Sequence, residues 1–132
     1  NPAYLLELLA QGVVPVVAPV SSDVDLKTGL NVNADFAASA IAASLSASSL
    51  IVMTDVAGIY RNWPEEDSLI DTISAGELES IKASFADGMA PKVQATLDAL
   101  SYGAKAVRII DGTDSESFAS ALAGRGGTLV VA

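Results

Sequence analysis

The chain has 132 residues, seven basic and sixteen acidic side chains for a net charge of −9, and a hydrophobic fraction of 51%. That size and apolar content suit one domain with a sizeable core, and the acidic balance argues against a broad nucleic-acid or anionic-membrane surface while leaving room for a local anion site. There is no Cys and no His, which removes disulfides, thiol nucleophiles, Ser-His-Asp catalysis and most zinc sites together.

No apolar stretch approaches the roughly 18 residues that span a bilayer, and the opening NPAYLLELLAQG lacks the basic region of a signal peptide. Because the chain starts at Asn1 and is helical in pattern from its first residues, the expectation is that it begins inside a larger protein. Asn1 can cap this helix with Pro2 at its first position, Leu5, Leu8 and Leu9 on one face and Gly12 beyond its end. Residues 13–18, VVPVVA, form the next apolar run and are expected to be a buried strand stopped by Pro19. The polar residues 21–29 then form either a small hairpin or an excursion over a site. Asn33 or Asp35 opens an Ala-rich helix with Ala38, Ile41, Ala42 and Leu45 toward the core.

The stretch LIVMTDVAGIY, residues 50–60, joins the clearest buried strand to the clearest functional turn. Leu50, Ile51, Val52 and Met53 show no polar alternation, as expected of a parallel strand covered on both faces. Thr54 and Asp55 follow at its carboxyl end, where open α/β sheets place ligands, and Gly58 would let the turn approach a ligand closely. An ordinary Asx turn accounts for the same residues. Residues 61–71, RNWPEEDSLID, predict an exposed loop or hairpin tip around Pro64. Ser74 and Glu77 have the spacing of a capping box, starting a helix that runs to about Phe85 and breaks at Asp87 and Gly88. Pro91 suits the first turn of another helix, with Val93, Leu97 and Leu100 inward and Gly103 after it. Residues 106–110 predict a strand ending at Asp111 and Gly112, residues 115–122 a helix, and residues 128–131 a last strand.

Helices alternating with four short apolar strands predict an α/β fold, a three-layer αβα sandwich around a mainly parallel sheet. Its strand ends collect Asn31, Asn33, Asp35, Thr54, Asp55 and Asp111, which this architecture can bring to one rim. Walker-type and dinucleotide glycine motifs are missing: Gly124, Gly126 and Gly127 do not complete G-x-G-x-x-G between a strand and a helix. Phosphate donors would then be sought at the helix starts near Asn33 and at residues 88–92.

LNVNAD (residues 30–35), TDVAGIY (54–60) and DGMAPKVQATLDAL (87–100), in this order and spacing, resemble the carboxyl-terminal half of the acetylglutamate kinases within the amino acid kinase family. VVPVVAP before them and VRIIDG after them fit as well, and YRNWPEEDSLI looks most like actinobacterial members. The resemblance implies transfer of the γ-phosphoryl group of ATP to the side-chain carboxylate of N-acetyl-L-glutamate, giving an acyl phosphate in arginine biosynthesis. It implies that Asn31 holds acetylglutamate, that Asp35 orients catalytic lysines and that Lys92 stabilises charge on the transferring phosphoryl group. Asp55, Val56, Ala57, Gly58, Ile59 and Tyr60, with Ser84, Phe85 and Ala86, would line the nucleotide pocket. Mg2+ would ride mainly on the nucleotide phosphates, so no protein metal ligand is assigned. A cytoplasmic enzyme, homo-oligomeric at full length, with no nucleic-acid or membrane partner, is also implied.

Taken singly, Lys92 suits a solvated helix lysine, Asn31, Asn33 and Asp35 a turn and helix cap, and Asp111 with Gly112 a strand-ending turn. The three co-ordered motifs favour the functional assignment of the first two sets. The family's amino-terminal half, with a first catalytic lysine, a glycine pair and a substrate-binding arginine, lies outside these 132 residues, so the chain alone is expected to be inactive or nearly so. Glu116 stands where a His is usual and Ala121 where a Glu is usual, so arginine feedback inhibition is not expected. A related kinase with another acceptor and a non-catalytic nucleotide-binding module remain as alternatives.

Overall fold

The computed structural model describes residues 2–25, 27–85 and 88–132. After helix α1 (Ala3–Ala10) the chain runs through strands β1 (Val20–Ser22) and β2 (Gly29–Asn31), helix α2 (Ala34–Ser44), strands β3 (Leu50–Thr54) and β4 (Thr72–Ser74) and helix α3 (Ala75–Ile81). Helix α4 (Ala90–Ser101), strand β5 (Ala106–Asp111), helix α5 (Ser115–Leu122) and strand β6 (Thr128–Val131) complete it.

The central sheet has the order β3-β5-β6-β4. β3 pairs parallel with β5, β4 pairs parallel with β6, and β5 and β6 are antiparallel, so parallel pairs predominate as the alternation of elements implied. Four consecutive residues of β5, Val107 to Ile110, are buried. Successive strand residues point to opposite faces, so both faces must be covered. Helices α2 and α4 pack on each other and over β3 and β5, α3 packs on α4, and α5 packs on β5. The main core runs through Val52, Ile59, Ile73, Leu78, Val93, Leu97, Val107, Ile109 and Val130. Helix α4 supplies its inward face as its period dictates, with Val93, Leu97 and Leu100 all buried. No described helix is long and apolar enough to cross a membrane.

One strand expectation is corrected. Residues 13–18 carry the apolar pattern of a buried strand but form no strand and pair with no sheet. Val14 is 83% and Val16 97% exposed, and Val13 and Val17 about half. The local pattern is that of a strand, but its covering layer is not among the described residues. Helix α1 likewise has no fully buried residue, and Tyr4 and Leu6 are exposed; its expected cap, Asn1, lies outside the described residues. Residues 21–29 resolve the choice left open for them, because β1 and β2 form an antiparallel hairpin with Val20 opposite Asn31. Strand β4 is an addition: only Ile73 of its three residues is buried, too short a pattern to read as alternation.

The glycines after α5 have a purely structural cause. Gly124, Gly126 and Gly127 all have positive φ, and the buried Arg108 guanidinium donates to the carbonyls of Gly124, at 3.0 Å, and Gly126. The turn therefore wraps its carbonyls around a cation inside the domain. A Cβ on Gly127 would lie 2.2 Å from the Ile109 carbonyl oxygen, on the backbone of a central strand that has no freedom to yield. Gly127→Ala is expected to cost roughly 2–4 kcal/mol, from left-handed strain plus overpacking; urea denaturation reads this as a lower midpoint, and an unchanged midpoint would refute this close approach of the turn to β5.

Candidate functional site at the carboxyl rim of the sheet

Parallel pairing sets Thr54 opposite Asp111 at the carboxyl ends of β3 and β5. Thr54 is therefore the last residue of the strand rather than the first beyond it. Past this rim lies a cleft of about 470 Å3, a size suited to a small-molecule ligand. Thr54, Asp55, Val56, Gly58 and Tyr60 line it from the β3 side, Arg61, Asn62 and Trp63 from the following loop, and Ser84, Phe85, Gly88, Met89 and Lys92 from the start of α4 and the turn before it.

The β3 side is held from beneath by one buried hydroxyl. Thr128 Oγ1 accepts from the Ile59 N–H at 2.8 Å and donates to the Ile70 carbonyl at 2.6 Å. It thereby ties the turn after β3, the return of the following loop and β6 together. Gly58 makes room for this contact, since a Cβ there would lie 2.5 Å from Thr128 Oγ1. The need for glycine at this position thus comes from close approach to the domain's own strand, where a ligand had been expected. Beyond the clamp, Tyr60 bridges to Leu69 and the Arg61 N–H donates to the Ser68 carbonyl at 2.9 Å. The Arg61 guanidinium reaches Glu77 of α3 at 2.6 Å. Only half of the capping box forms as expected: Ser74 Oγ accepts from the Glu77 N–H, while the Glu77 carboxylate takes Arg61.

The opposite wall is the first turn of α4. Helix α2 begins with Asn33, whose side chain accepts from the N–H groups of Asp35, at 2.9 Å, and Phe36, at 3.3 Å; these donors are occupied. Helix α4 begins at Met89 with no side-chain cap and with Pro91 in its first turn. Of the two helix starts expected to offer phosphate donors, only that of α4 has no side-chain cap among the described residues and opens on the cleft. Lys92 Nζ lies there, 3.1 and 3.4 Å from the two carboxylate oxygens of Asp35. Both side chains are about one-fifth exposed, so the pair is partly desolvated yet open to exchange with an entering anion.

The remaining expected residues divide clearly. Asp55 accepts the Thr54 hydroxyl at 3.1 Å and faces the cleft together with Val56, Gly58, Tyr60, Ser84, Phe85 and Lys92. Ile59 does not: it is fully buried, its N–H goes to Thr128 and its carbonyl accepts from Ile70, so it belongs to the core. Ala57 is half-buried outside the lining, and Ala86 lies outside the described residues. Asn31 is exposed at the end of the hairpin and does not line the cleft; Asp35 reaches it only through Lys92. Asp111 closes a turn in which the hydroxyl and then the backbone N–H of Thr113 hold its carboxyl below the ordinary carboxylate range. Its contribution to stability is complete above the ordinary value and is lost as pH falls through the lowered one.

Arg61, Asn62 and Trp63 are lining residues that sequence reasoning did not assign, while Met89 falls in the stretch 88–92 read there for phosphate donors. The available signal was a tryptophan inside an otherwise acidic loop directly after the rim. Among the described residues, no cluster of three acidic side chains is arranged to hold a metal ion.

A mostly parallel sheet layered by helices, with a cleft between its carboxyl rim and the start of α4, defines a layered α/β domain. Residues 1–111 match the model of the amino acid kinase family, and the chain belongs to that family. It is 44% identical over 123 residues to an acetylglutamate kinase from Kineococcus radiotolerans, covering 89% of this chain and 41% of that protein. It is 46% identical over 117 residues to an acetylglutamate kinase from Cutibacterium acnes, covering 85% of this chain and 38% of that protein. The fold is similar to that of N-acetylglutamate synthase from Neisseria gonorrhoeae, solved with coenzyme A and L-arginine. That match has a TM-score of 0.89 at 26% identity and covers 99% of this chain and 30% of that one. The chain thus spans about two-fifths of the length of the curated relatives it matches.

Thr128→Val keeps shape but leaves the Ile59 N–H and the Ile70 carbonyl buried and unpaired, and is expected to cost about 2–5 kcal/mol. Thr128→Ser keeps the hydroxyl and should cost only the lost methyl, about 1 kcal/mol. Chemical denaturation of both variants checks the ordering, and equal losses would contradict the clamp.

Proposed function

We propose that this chain is the nucleotide-binding half of an acetylglutamate kinase, binding ATP with Mg2+ while an adjoining segment completes the site for N-acetyl-L-glutamate. The observation that carries this reading is Lys92, held by Asp35 in the first turn of α4 and lining a cleft that aromatic side chains also line. Supporting it are the curated acetylglutamate kinases at 44 and 46% identity over most of the chain.

In this role the phosphates lie toward Lys92 and the first turn of α4, where the cation and the helix dipole act in the same sense. The acetylglutamate side-chain oxygen attacks the γ-phosphorus, the bond to the β-phosphate oxygen breaks, and the electron pair leaves with ADP. Negative charge grows on the transferring oxygens, and Lys92 stabilises it most if already oriented. Asp35 supplies that orientation. Asp55 offers an acceptor to the ribose, and Asn31, on the hairpin leading into α2, offers its amide to the acceptor substrate. Mg2+ carried by the phosphates would supply charge neutralisation, with no ligand assigned to it from this chain.

The adjoining segment would also cover residues 13–18, the exposed apolar run that ends just before the hairpin. Acceptor chemistry would then need both pieces, and the 132-residue chain is expected to release ADP from ATP and acetylglutamate at a rate several orders of magnitude below that of a complete kinase. Full turnover in a coupled ADP-release assay would overturn this division of labour.

Binding is testable without turnover, because a ligand specific for the folded form raises its melting temperature. Mg-ATP is expected to raise it saturably, with the rise lost or strongly reduced in Lys92→Ala and Asp55→Ala. In the protein joined to its adjoining segment, Lys92→Ala should lower kcat by about 10^2 to 10^3, the usual weight of one charge-stabilising donor. A well-folded chain that shows no shift with Mg-ATP would count against the nucleotide assignment.

A further inference from the structure

Trp63 is the largest side chain on the cleft and is left 65% exposed. Its orientation is set by Tyr60, whose ring lies 5.1 Å away at 67°, an edge-to-face contact. The loop carrying Trp63 is tied at both ends. Tyr60 bridges to Leu69, the Arg61 N–H and the Ser68 carbonyl are bonded, and Ser68 Oγ accepts from the Asn62 N–H at 3.1 Å. Arg61 is also anchored on α3 through Glu77. An exposed indole on an untethered loop would lose ordering entropy on meeting a ligand, whereas here much of that cost is met in advance. The cleft is therefore lined both by a cation, Lys92, and by a pre-ordered indole, Trp63.

We propose that Trp63 is the stacking platform for the heterocyclic base of the nucleotide, with Tyr60 as the buttress that holds the indole in place. The inference rests on the nucleotide-binding reading above and adds a residue that determines affinity. An indole face stacks on any flat heterocycle, and such contacts contribute strongly without hydrogen-bond readout. The neighbouring Asn62, which also lines the cleft, carries a donor and an acceptor on one group.

Trp63 is the only tryptophan of the chain, so intrinsic emission reports on it alone. The test titrates the 132-residue chain with Mg-ATP and, separately, with Mg-tripolyphosphate, following emission and calorimetry in parallel. Mg-ATP is expected to quench emission, while tripolyphosphate, which has no base, binds without quenching. Trp63→Ala should weaken Mg-ATP roughly tenfold or more and leave tripolyphosphate unchanged, and Trp63→Phe should recover most of the loss. Lys92→Gln should weaken both ligands. Unquenched emission with equal Mg-ATP affinity in Trp63→Ala overturns the stacking role and leaves the nucleotide reading standing. Equal weakening of both ligands in Trp63→Ala also overturns it, because the loop would then act only as support. Failure of the unaltered chain to bind either ligand defeats both readings.

Discussion

The cleft rests on the buried hydroxyl of Thr128. One oxygen accepts from Ile59 and donates to Ile70, so the turn carrying Asp55 and Gly58 and the return of the Trp63 loop share one support on β6. Each bond adds only about 1 kcal/mol net, but leaving either backbone group unpaired in the core costs about 1–3 kcal/mol. The larger number governs the architecture. A valine in the same space could not satisfy donor and acceptor, and a longer polar side chain would not fit against Gly58. The neighbouring bond from the Leu129 N–H to the Asp71 carbonyl, at 2.9 Å, continues the same seam. The antiparallel placement of β6 beside β5 matters because it delivers this hydroxyl under the rim.

With the floor fixed, the remaining geometry follows from the two sides of the rim. Helix α4 is seated by Val93, Leu97 and Leu100, which turns Lys92 toward the cleft and Asp35. At about 3 Å and an effective dielectric near 20, the pair's attraction is about 5 kcal/mol before desolvation and side-chain ordering are charged against it. Those costs bring partly exposed pairs down to about 1 kcal/mol. Such a pair orients the lysine yet yields to a competing anion. A fully buried pair would hold the ammonium too firmly, and an isolated lysine would be too mobile.

Much of this was legible in the amino-acid sequence because periodicity and turn chemistry act locally. The inward face of α4, the strands β3, β5 and β6, the cap by Asn33 and the glycine after α4 all follow from short-range rules. Legibility failed where tertiary context decided. Residues 13–18 have strand composition, but pairing is a property of two segments, and no described partner covers them. Ile59 sits inside a turn motif that elsewhere faces the cleft, and only the position of β6 makes it core. The turn chemistry of Gly58 suggests room for a ligand, yet what approaches it is Thr128, far along the chain. Proline and acidic neighbours place Trp63 on an exposed loop tip. It is exposed, but toward the cleft, and direction is what composition lacks.

Charge finally constrains the form of the ligand. The domain carries nine net negative charges, and its cleft cations Arg61 and Lys92 are already paired with Glu77 and Asp35. A polyphosphate that takes Lys92 from Asp35 releases a carboxylate beside itself, with Asp55 also on the cleft wall. Bare triphosphate would thus meet three carboxylates, Glu77, Asp35 and Asp55, against two cations, and the α4 dipole, worth about half a unit charge, does not close that gap. A divalent cation carried on the phosphates does. It offsets the released carboxylate and lowers repulsion from a net-acidic surface that salt screens only beyond about 8–10 Å. For a nucleotide in this cleft, the electrostatics therefore favour a complex with a divalent cation over the free anion.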